Sequence, residues 1–147
     1  MNTDQSSPAL ARVVHFFETL SLESTAQLGT IYAADAFFKD PFNEVHGLAA
    51  IRPIFEHMFQ QVEAPRFIVT LQMQQGDDAF MTWDFRFKMR RFSAAEQCIR
   101  GATQLKFDAN GLVSYHRDYW DAAEELYEKL PLLGSLMRWL KRRANQA

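Results

Sequence analysis

The segment Leu112–Asp121, with the sequence Leu-Val-Ser-Tyr-His-Arg-Asp-Tyr-Trp-Asp, combines strand-forming residues with ionisable side chains. Its aromatic content favours a β-strand. Because a strand sends alternate side chains to opposite faces, one face is predicted to carry Ser114, His116, Asp118 and Trp120. An imidazole, a carboxylate and an indole in a row are typical of a pocket wall, where a few polar groups lie in an apolar surface.

Three segments before this one alternate apolar and polar residues with the period of two that predicts β-strands. They are residues 67–73, 81–90 and 99–107, and the middle one has the most regular alternation. The glycine-containing connections at 75–78 and 108–111 predict turns, and a further turn is predicted at Ser93–Ala95. The four segments therefore predict an antiparallel meander with one apolar and one charged face.

Helical periodicity precedes the strands. Ser7 and Pro8 are typical of a helix start, and the apolar spacing predicts a first helix to about Leu20. A short second helix is predicted from Ser24 or Thr25 to the Ala-rich residues 33–36, followed by an extended piece and a loop over 37–47. A third helix is predicted from its apolar stripe, which consists of Ile51, Ile54, Phe55, Met58, Phe59 and Val62.

After the last strand, Asp121 has the position of a helix N-cap, and the helix is predicted to run to about Leu130. Pro131 and Gly134 are expected to interrupt it. The order of elements predicts the α+β class. A sheet with one apolar face must cover an apolar partner, and the N-terminal helices are the only large one. We therefore expect a curved sheet around the helices, with a cavity at the mouth of the resulting cone.

Length and composition limit the possible functions. At 147 residues the chain has the size of one domain, and its net charge of −2 argues against a nucleic-acid partner. A single cysteine, Cys98, excludes an internal disulfide and a cysteine metal cluster. No signal peptide or membrane-spanning run is evident, so we expect a cytoplasmic protein. The histidines lack metal-ligand spacing, and no glycine-rich phosphate loop occurs, so neither a metal nor a cofactor is expected.

Local motifs resemble a known superfamily. The combination of Tyr32-Ala-Ala-Asp-Ala, Lys39-Asp40-Pro41, and Gly47 with Ala49-Ala50-Ile51-Arg52 is similar to a signature shared by ketosteroid isomerases and SnoaL-like proteins of the NTF2-like superfamily. The resemblance extends over nearly all of residues 8–121. It implies a single SnoaL-like domain over 1–147, with 122–147 as a C-terminal helical extension. It also implies a homodimer, which we expect to form through the sheet.

The resemblance implies roles for individual residues. Asp40 matches the general-base aspartate of ketosteroid isomerases, and Trp120 matches the aromatic residue beside that base. The positions of the isomerase oxyanion donors are occupied by Phe16 and Thr103. Phenylalanine has no donor, so steroid isomerase activity is not expected. SnoaL-like cyclases use a pocket aspartate as acid or base, often with a nearby histidine.

For this chain, the predicted catalytic groups are Asp40, His116 and Asp118. The predicted ligand-binding residues are Phe16, Tyr32, Phe55, Phe59, Trp83, Phe85, Thr103 and Trp120. Each has a structural alternative. Asp40 before a proline is also typical of a turn, and His116 and Asp118 are equally compatible with a structural polar network. Trp83 and Phe85 are equally compatible with a purely structural core.

Two functions from different classes follow. The first is an enzyme that acts on a hydrophobic small molecule by acid–base isomerisation, cyclisation or hydrolysis. The alternative is a non-catalytic module that binds a lipid-like ligand. The basic C-terminal segment, with Arg138, Lys141, Arg142 and Arg143, could contact a membrane surface, but its few apolar residues favour packing on protein.

Overall fold

The computed structural model describes residues 6–90, 93–125 and 131–145. Helix α1 comes first, then a 3-10 helix at Glu23–Thr30, and the rest of the fold is one sheet with a second helix and a helical C-terminus. The helices are α1 (Pro8–Glu18), α2 (Leu48–Gln61), α3 (Ala122–Glu125) and α4 (Pro131–Asn145). The strands are β1 (Tyr32–Lys39), β2 (Glu44–His46), β3 (Val62–Gln75), β4 (Asp78–Met89), β5 (Ser93–Phe107) and β6 (Val113–Tyr119).

The six strands form one sheet in the order β2-β1-β6-β5-β4-β3. Strands β3 to β6 pair with their chain neighbours in antiparallel fashion, which is the predicted meander. Strand β1 lies parallel to β6, so the sheet is mixed. Helices α1 and α2 pack on the face of the sheet that carries the core, and this arrangement confirms the expected α+β cone.

Local sequence explains the helices that support the site. Ser7 caps α1, because its hydroxyl accepts a hydrogen bond from the amide of Leu10 at 3.2 Å, and Pro8 takes the first helical position. Helix α1 buries Leu10, Val13 and Phe17 against the sheet. Its neighbour Phe16 is only half-buried, and the ring of Phe16 meets that of Phe17 edge to face.

The prediction for residues 32–47 was wrong in part. Residues 32–36 do not end a helix but begin β1, and β2 lies within the predicted loop. Phe37 pairs with Tyr115 of β6 and with His46 of β2, so the backbone of β1 is bonded on both sides. This pairing outweighs the helical preference of the alanines, because strand preference depends on tertiary neighbours.

Two further predictions are corrected at strand irregularities. Ser93–Ala95 lies within β5 rather than in a turn. Ser114 does not share the face of His116, because the pairing of β5 and β6 shifts register beside it. Its hydroxyl instead donates to the carbonyl of Lys106 at 3.2 Å. The shift allows both Val113 and His116 to point into the core.

The C-terminal segment begins as predicted with Asp121 as cap, whose carboxylate accepts from the amide of Glu124 at 3.1 Å. The predicted continuation to Leu130 lies outside the described residues. Gly134 does not interrupt a helix, since α4 runs from Pro131 through it. No helix in the described part of the chain is long and apolar enough to cross a membrane.

Candidate active site

Three adjacent strands bring polar side chains together on the inner face of the sheet. In the pairing of β5 with β6, Thr103 lies opposite Asp118, and Leu105 lies opposite His116. In the pairing of β4 with β5, Trp83 lies opposite Gly101, two residues from Thr103. The register of the sheet therefore places three polar groups beside one carboxylate.

These side chains form one continuous hydrogen-bonded chain. The phenol of Tyr32 lies 2.8 Å from Nδ1 of His116, and Nε2 of His116 lies 2.7 Å from Oδ1 of Asp118. The hydroxyl of Thr103 donates to the same oxygen at 2.6 Å and accepts from Nε1 of Trp83 at 2.8 Å. Asp118 and four other side chains, from four strands in all, thus form one chain of hydrogen bonds, which we call the Asp118 network.

The direction of each hydrogen bond follows from the groups at its ends. The indole of Trp83 only donates, and the ionised carboxylate of Asp118 only accepts. Nε2 of His116 must then carry a proton, which leaves Nδ1 of the neutral ring as the acceptor for the phenol of Tyr32. Burial raises the pKa of Tyr32 well above its ordinary value, and the charge of Asp118 raises it further. The phenol therefore stays protonated and fixes the tautomer of His116.

Aromatic rings hold His116 in place. The side chain is buried, and its ring centroid lies 4.6 Å from that of Phe38 and 5.9 Å from that of Phe17. Tyr32 is buried as well, with its ring 5.8 Å from that of His116. A ring enclosed on several sides cannot rotate freely, so the hydrogen bond to Asp118 has a fixed direction.

Gly101 makes room for the indole of Trp83. A Cβ at residue 101 would lie 2.5 Å from Cη2 of Trp83, which is closer than real Cβ contacts. The indole therefore lies directly over the backbone of β5, within reach of the Thr103 hydroxyl. A glycine in a strand often marks such a close approach, and here it orients a donor of the Asp118 network.

A small cavity adjoins this network. Its volume is about 30 Å³, which is room for one or two water molecules. Asp118, His116 and Thr103 form its polar side. The apolar lining is made by Phe17, Phe55, Phe67, Val69, Met81 and Trp83.

Asp118 has one oxygen that remains available. Both described partners, Thr103 and His116, bind Oδ1, and no described residue donates to Oδ2. In the described part of the chain, every buried side-chain nitrogen or oxygen has a partner, so Oδ2 is accessible. The side chain is 18% exposed. Asp118 thus presents one fixed and one accessible oxygen, which suits a group that exchanges a proton with a bound molecule.

Asp40 has a different environment. Its Oδ1 accepts from the backbone amides of Phe42 and Asn43 at 2.8 and 2.7 Å. The side-chain amide of Asn43 lies 3.0 Å from both oxygens. These contacts close the turn after β1, which is the role that aspartate has in turns.

Both carboxylates border an open depression of about 500 Å³, which we call the notch. Strand β1 ends at Lys39, opposite Arg117, while β6 continues to Tyr119. The notch lies beside the end of β6 that extends past β1 and is paired only with β5. Its lining consists of Lys39, Asp40, Pro41, Arg117, Asp118, Tyr119, Trp120 and Asp121. Asp118 borders both the notch and the inner cavity.

The structure brings together some of the predicted ligand-binding residues and separates others. Tyr32, Trp83 and Thr103 belong to the Asp118 network, and Phe55 lines the inner cavity. Trp120 borders the notch, where its ring meets the edge of Phe42 at 5.6 Å. Three predicted residues line neither space: Phe16, Phe59 and Phe85.

Sequence reasoning did not select four apolar residues of the inner cavity, which are Phe17, Phe67, Val69 and Met81. The sequence contained a pattern that could have identified each of them. Phe17 lies on the apolar stripe of the first helix, and the other three lie on alternating strand faces. No group of three or more His, Cys, Asp or Glu side chains among the described residues could hold a metal ion.

The sequence matches the SnoaL-like domain family over residues 13–116, which are 104 of the 147 residues. The chain therefore belongs to the SnoaL-like domain family. The matched region contains four members of the Asp118 network and ends two residues before Asp118 itself. None of the curated proteins matches the sequence.

Solved structures share the fold. A protein from Catenulispora acidiphila with a ketosteroid isomerase-like fold, in complex with trimethylamine, has a TM-score of 0.71 at 15% identity, covering 83% of this chain and 92% of that one. A protein from Shewanella putrefaciens described as a SnoaL-like polyketide cyclase has a TM-score of 0.68 at 22% identity, covering 83% and 98%.

A third structure is an LEH-like epoxide hydrolase from M. tuberculosis, with a TM-score of 0.65 at 13% identity, covering 90% of this chain and 93% of that one. At these identities the similarity extends to the fold alone. It confirms the NTF2-like architecture that the local motifs predicted.

Proposed function

We propose that this protein is an enzyme that performs acid–base chemistry on a hydrophobic small molecule, with Asp118 as the group that transfers the proton. The observation that carries the proposal is the accessible Oδ2 of a carboxylate whose other oxygen is held at 2.6 Å by Thr103 and at 2.7 Å by His116. A positioned acid or base typically accelerates a reaction by about 10²–10⁴-fold.

In this proposal His116 and Thr103 are positioning residues. Each donates to Oδ1, so the carboxylate plane is fixed and Oδ2 keeps one direction. Tyr32 holds His116 in the tautomer that donates to Asp118. Positioning of this kind matters because displacement of a catalytic group by about 1 Å can cost about 10²-fold in rate.

The proposal transfers to Asp118 the role that family resemblance implies for Asp40. Oδ1 of Asp40 already accepts from the backbone amides of Phe42 and Asn43, and Oδ2 lies 3.0 Å from the side-chain amide of Asn43, so an approaching proton would compete with those hydrogen bonds. Asp118 also has the apolar surroundings that suit the reaction of a hydrophobic molecule, since six of the nine residues that line the inner cavity are apolar.

The proposed chemistry does not include steroid isomerisation. That reaction needs donors for a dienolate oxygen. The polar hydrogens that border the inner cavity belong to Trp83, Thr103 and His116, and all three are already engaged within the Asp118 network. An oxyanion formed there would find no unoccupied side-chain donor among the residues that line the cavity. Epoxide hydrolysis and cyclisation, in which Asp118 activates a nucleophile, remain as the reaction types.

The lack of unoccupied oxyanion donors among the described residues that line the inner cavity favours the second candidate, a non-catalytic binding module. The inner cavity measures only about 30 Å³, far less than the roughly 300–1,000 Å³ of typical ligand pockets. In the enzymatic proposal a substrate instead occupies the notch and meets Asp118 from outside. In the alternative, a ligand in the notch is bound and released unchanged.

The test is turnover of a panel of hydrophobic epoxides by the wild-type protein and by Asp118→Asn. Asparagine keeps the size of the side chain and loses the proton acceptor. We expect the substitution to lower kcat at least about 10²-fold, with the fold retained in the circular dichroism spectrum. Unchanged kcat in Asp118→Asn, or absence of turnover across the panel, would contradict the enzymatic proposal and favour the binding module.

A further inference from the structure

Arg117 is an unexplained cation beside the proposed catalytic carboxylate. Its side chain is half-buried, and its guanidinium lies 4.7 Å from the centroid of the Tyr119 ring. Among the described residues no acidic side chain forms an ion pair with it, and none accepts a hydrogen bond from it. The guanidinium thus borders the notch with its donors available.

The contact with the Tyr119 ring restricts the motion of this guanidinium. A planar fork of N–H donors matches the two oxygens of a carboxylate, and an aromatic ring behind the fork reduces the motion that binding would have to arrest. Lys39 lies opposite Arg117 in the pairing of β1 with β6, so a second cation adjoins the same end of the notch. Its ammonium is 3.5 Å from Glu44, an exposed contact.

The charges around the notch indicate whether it would bind a monoanion or a dianion. Its lining contains two cations, Lys39 and Arg117, and three carboxylates, Asp40, Asp118 and Asp121. The lining therefore sums to −1, which opposes a dianion more strongly than a monoanion. A single carboxylate on the ligand satisfies Arg117 without adding a second negative charge near the three aspartates.

Trp120 defines the other part of the ligand. Its indole is half-buried at the notch, edge to face with Phe42 at 5.6 Å. An indole at the border of an open depression provides a flat apolar contact for a ring. Asp118 borders the same notch as Arg117 and Trp120, so a molecule bound there lies beside the proposed catalytic carboxylate.

We propose that the notch is the substrate site and that it takes a small molecule with one carboxylate on a flat hydrophobic body, the carboxylate bound by Arg117 and the body by Trp120. This inference rests on the proposed function, because it names the substrate class of the same site. Arg117 is a specificity-determining residue in this arrangement, and Asp118 remains the proton-transferring group.

The experiment is a ¹H–¹⁵N NMR titration of the full chain with 2-naphthoate, with its neutral isostere 2-naphthamide and with 2-naphthyl phosphate. We expect the naphthoate to bind at least about tenfold more tightly than the amide and the phosphate, with shifts concentrated in residues 117–121. Arg117→Gln should remove the preference for the carboxylate over the amide. Arg66→Gln, which removes an exposed cation on β3, should leave it unchanged.

Equal affinities for naphthoate and amide, a preference that survives in Arg117→Gln, or absence of binding would overturn the inference. Tighter binding of the phosphate would overturn the choice of a monoanion. The titration is independent of turnover: Asp118→Asn should retain the preference for the carboxylate. Failure of this inference would therefore leave the proposed function intact, and failure of catalysis would leave the binding result intact.

Discussion

Asp118 is the residue on which the other polar groups of the inner face converge. Thr103 and His116 share its Oδ1, and behind them Trp83 and Tyr32 complete their hydrogen bonds. Each buried polar atom in the described part of the chain has a partner. Removal of one member of the Asp118 network therefore leaves a hydrogen-bonding group of its neighbour without a partner. This costs about 1–3 kcal/mol of unfolding free energy.

Tyr32→Phe tests this dependence. It removes the donor to Nδ1 of His116, and we expect the free energy of unfolding to fall by about 1–3 kcal/mol at pH 8. Burial raises the pKa of Tyr32, so the wild-type phenol contributes stability that is present below the unfolded pKa of about 10 and is lost as pH rises toward the folded value. The difference between variant and wild type should therefore shrink between pH 8 and 11.

Urea denaturation at several pH values measures this difference. The control is Tyr115→Phe, since Tyr115 is stacked on Phe37 at 5.1 Å on the other face of the sheet. If the difference in unfolding free energy between Tyr32→Phe and the wild type stays constant up to pH 11, the prediction is contradicted. Ionisation of the buried phenol would then not reduce the stability of the fold.

At the residue scale, the sequence predicted several members of the Asp118 network, and the catalytic and binding roles assigned to them stay predictions. Strand alternation placed His116 and Asp118 on one face, and Tyr32, Trp83 and Thr103 were among the predicted residues. It could not show that the Thr103 hydroxyl donates to Asp118, because cross-strand register is a property of the folded sheet. The turn that engages Asp40 depends on Asn43, whose role becomes visible only in the folded backbone.

Among the elements, β5 determines how closely the indole of Trp83 can approach the Asp118 network. Gly101 faces the ring, and neighbouring Thr103 accepts its N–H at 2.8 Å. The absence of a side chain at Gly101 therefore has a direct effect on the position of a donor. A strand glycine weakens the strand by itself, so its presence here is explained by the close approach of the indole.

Gly101→Ala is expected to displace the indole, since the new Cβ would lie 2.5 Å from it. We predict a loss of about 1–3 kcal/mol of unfolding free energy, together with a shift of the Trp83 indole N–H resonance as its hydrogen bond is lost. Gly29→Ala is the matched control, because its Cβ would meet only Leu48 at an ordinary 3.5 Å. Equal stability and an unmoved indole resonance in Gly101→Ala would refute this role.

Elements whose apolar residues recur at a regular spacing were predicted, and elements without such a spacing were not. The meander was predicted because each of its strands alternates, and α1 and α2 because each has an apolar stripe. The first half of β1 was not predicted, since its Ala-Ala-Asp-Ala segment has no alternating pattern and lies between Tyr32 and Phe37, the two positions that pair with β6 on either side of it. The sequence pattern also gave no sign of the register shift at Ser114. A bulge changes the face on which a residue lies without changing the periodicity of the sequence.

In the whole molecule, one part of the outer sheet face remains apolar. Leu71 and Met73 of β3 are 51% and 54% exposed, and Phe80, opposite Met73 on β4, is 38% exposed. Exposed apolar side chains that cluster on one surface are typical of a protein interface. The expectation of a homodimer through the sheet stays a prediction, and these three residues are the surface where we expect a second copy to pack.

Sedimentation equilibrium measures the mass of the assembly directly. We expect the wild-type protein to be a dimer and Met73→Glu to be a monomer, because a charge at the centre of an apolar contact must be desolvated without a partner. Leu22→Glu places the same charge on a side chain that is 51% exposed elsewhere and should remain a dimer. A wild-type monomer, or a Met73→Glu dimer, would exclude this surface as the interface.

The central claim is that Asp118, and not Asp40, transfers the proton at the notch that both border. The most direct measurement is kcat for Asp118→Asn and Asp40→Asn side by side on one substrate. Asparagine can still accept the turn hydrogen bonds of Asp40, so we predict that Asp40→Asn retains kcat within about twofold while Asp118→Asn loses at least about 10²-fold. The reverse order, with Asp40→Asn inactive and Asp118→Asn active, would contradict the claim and return the catalytic role to the residue after β1.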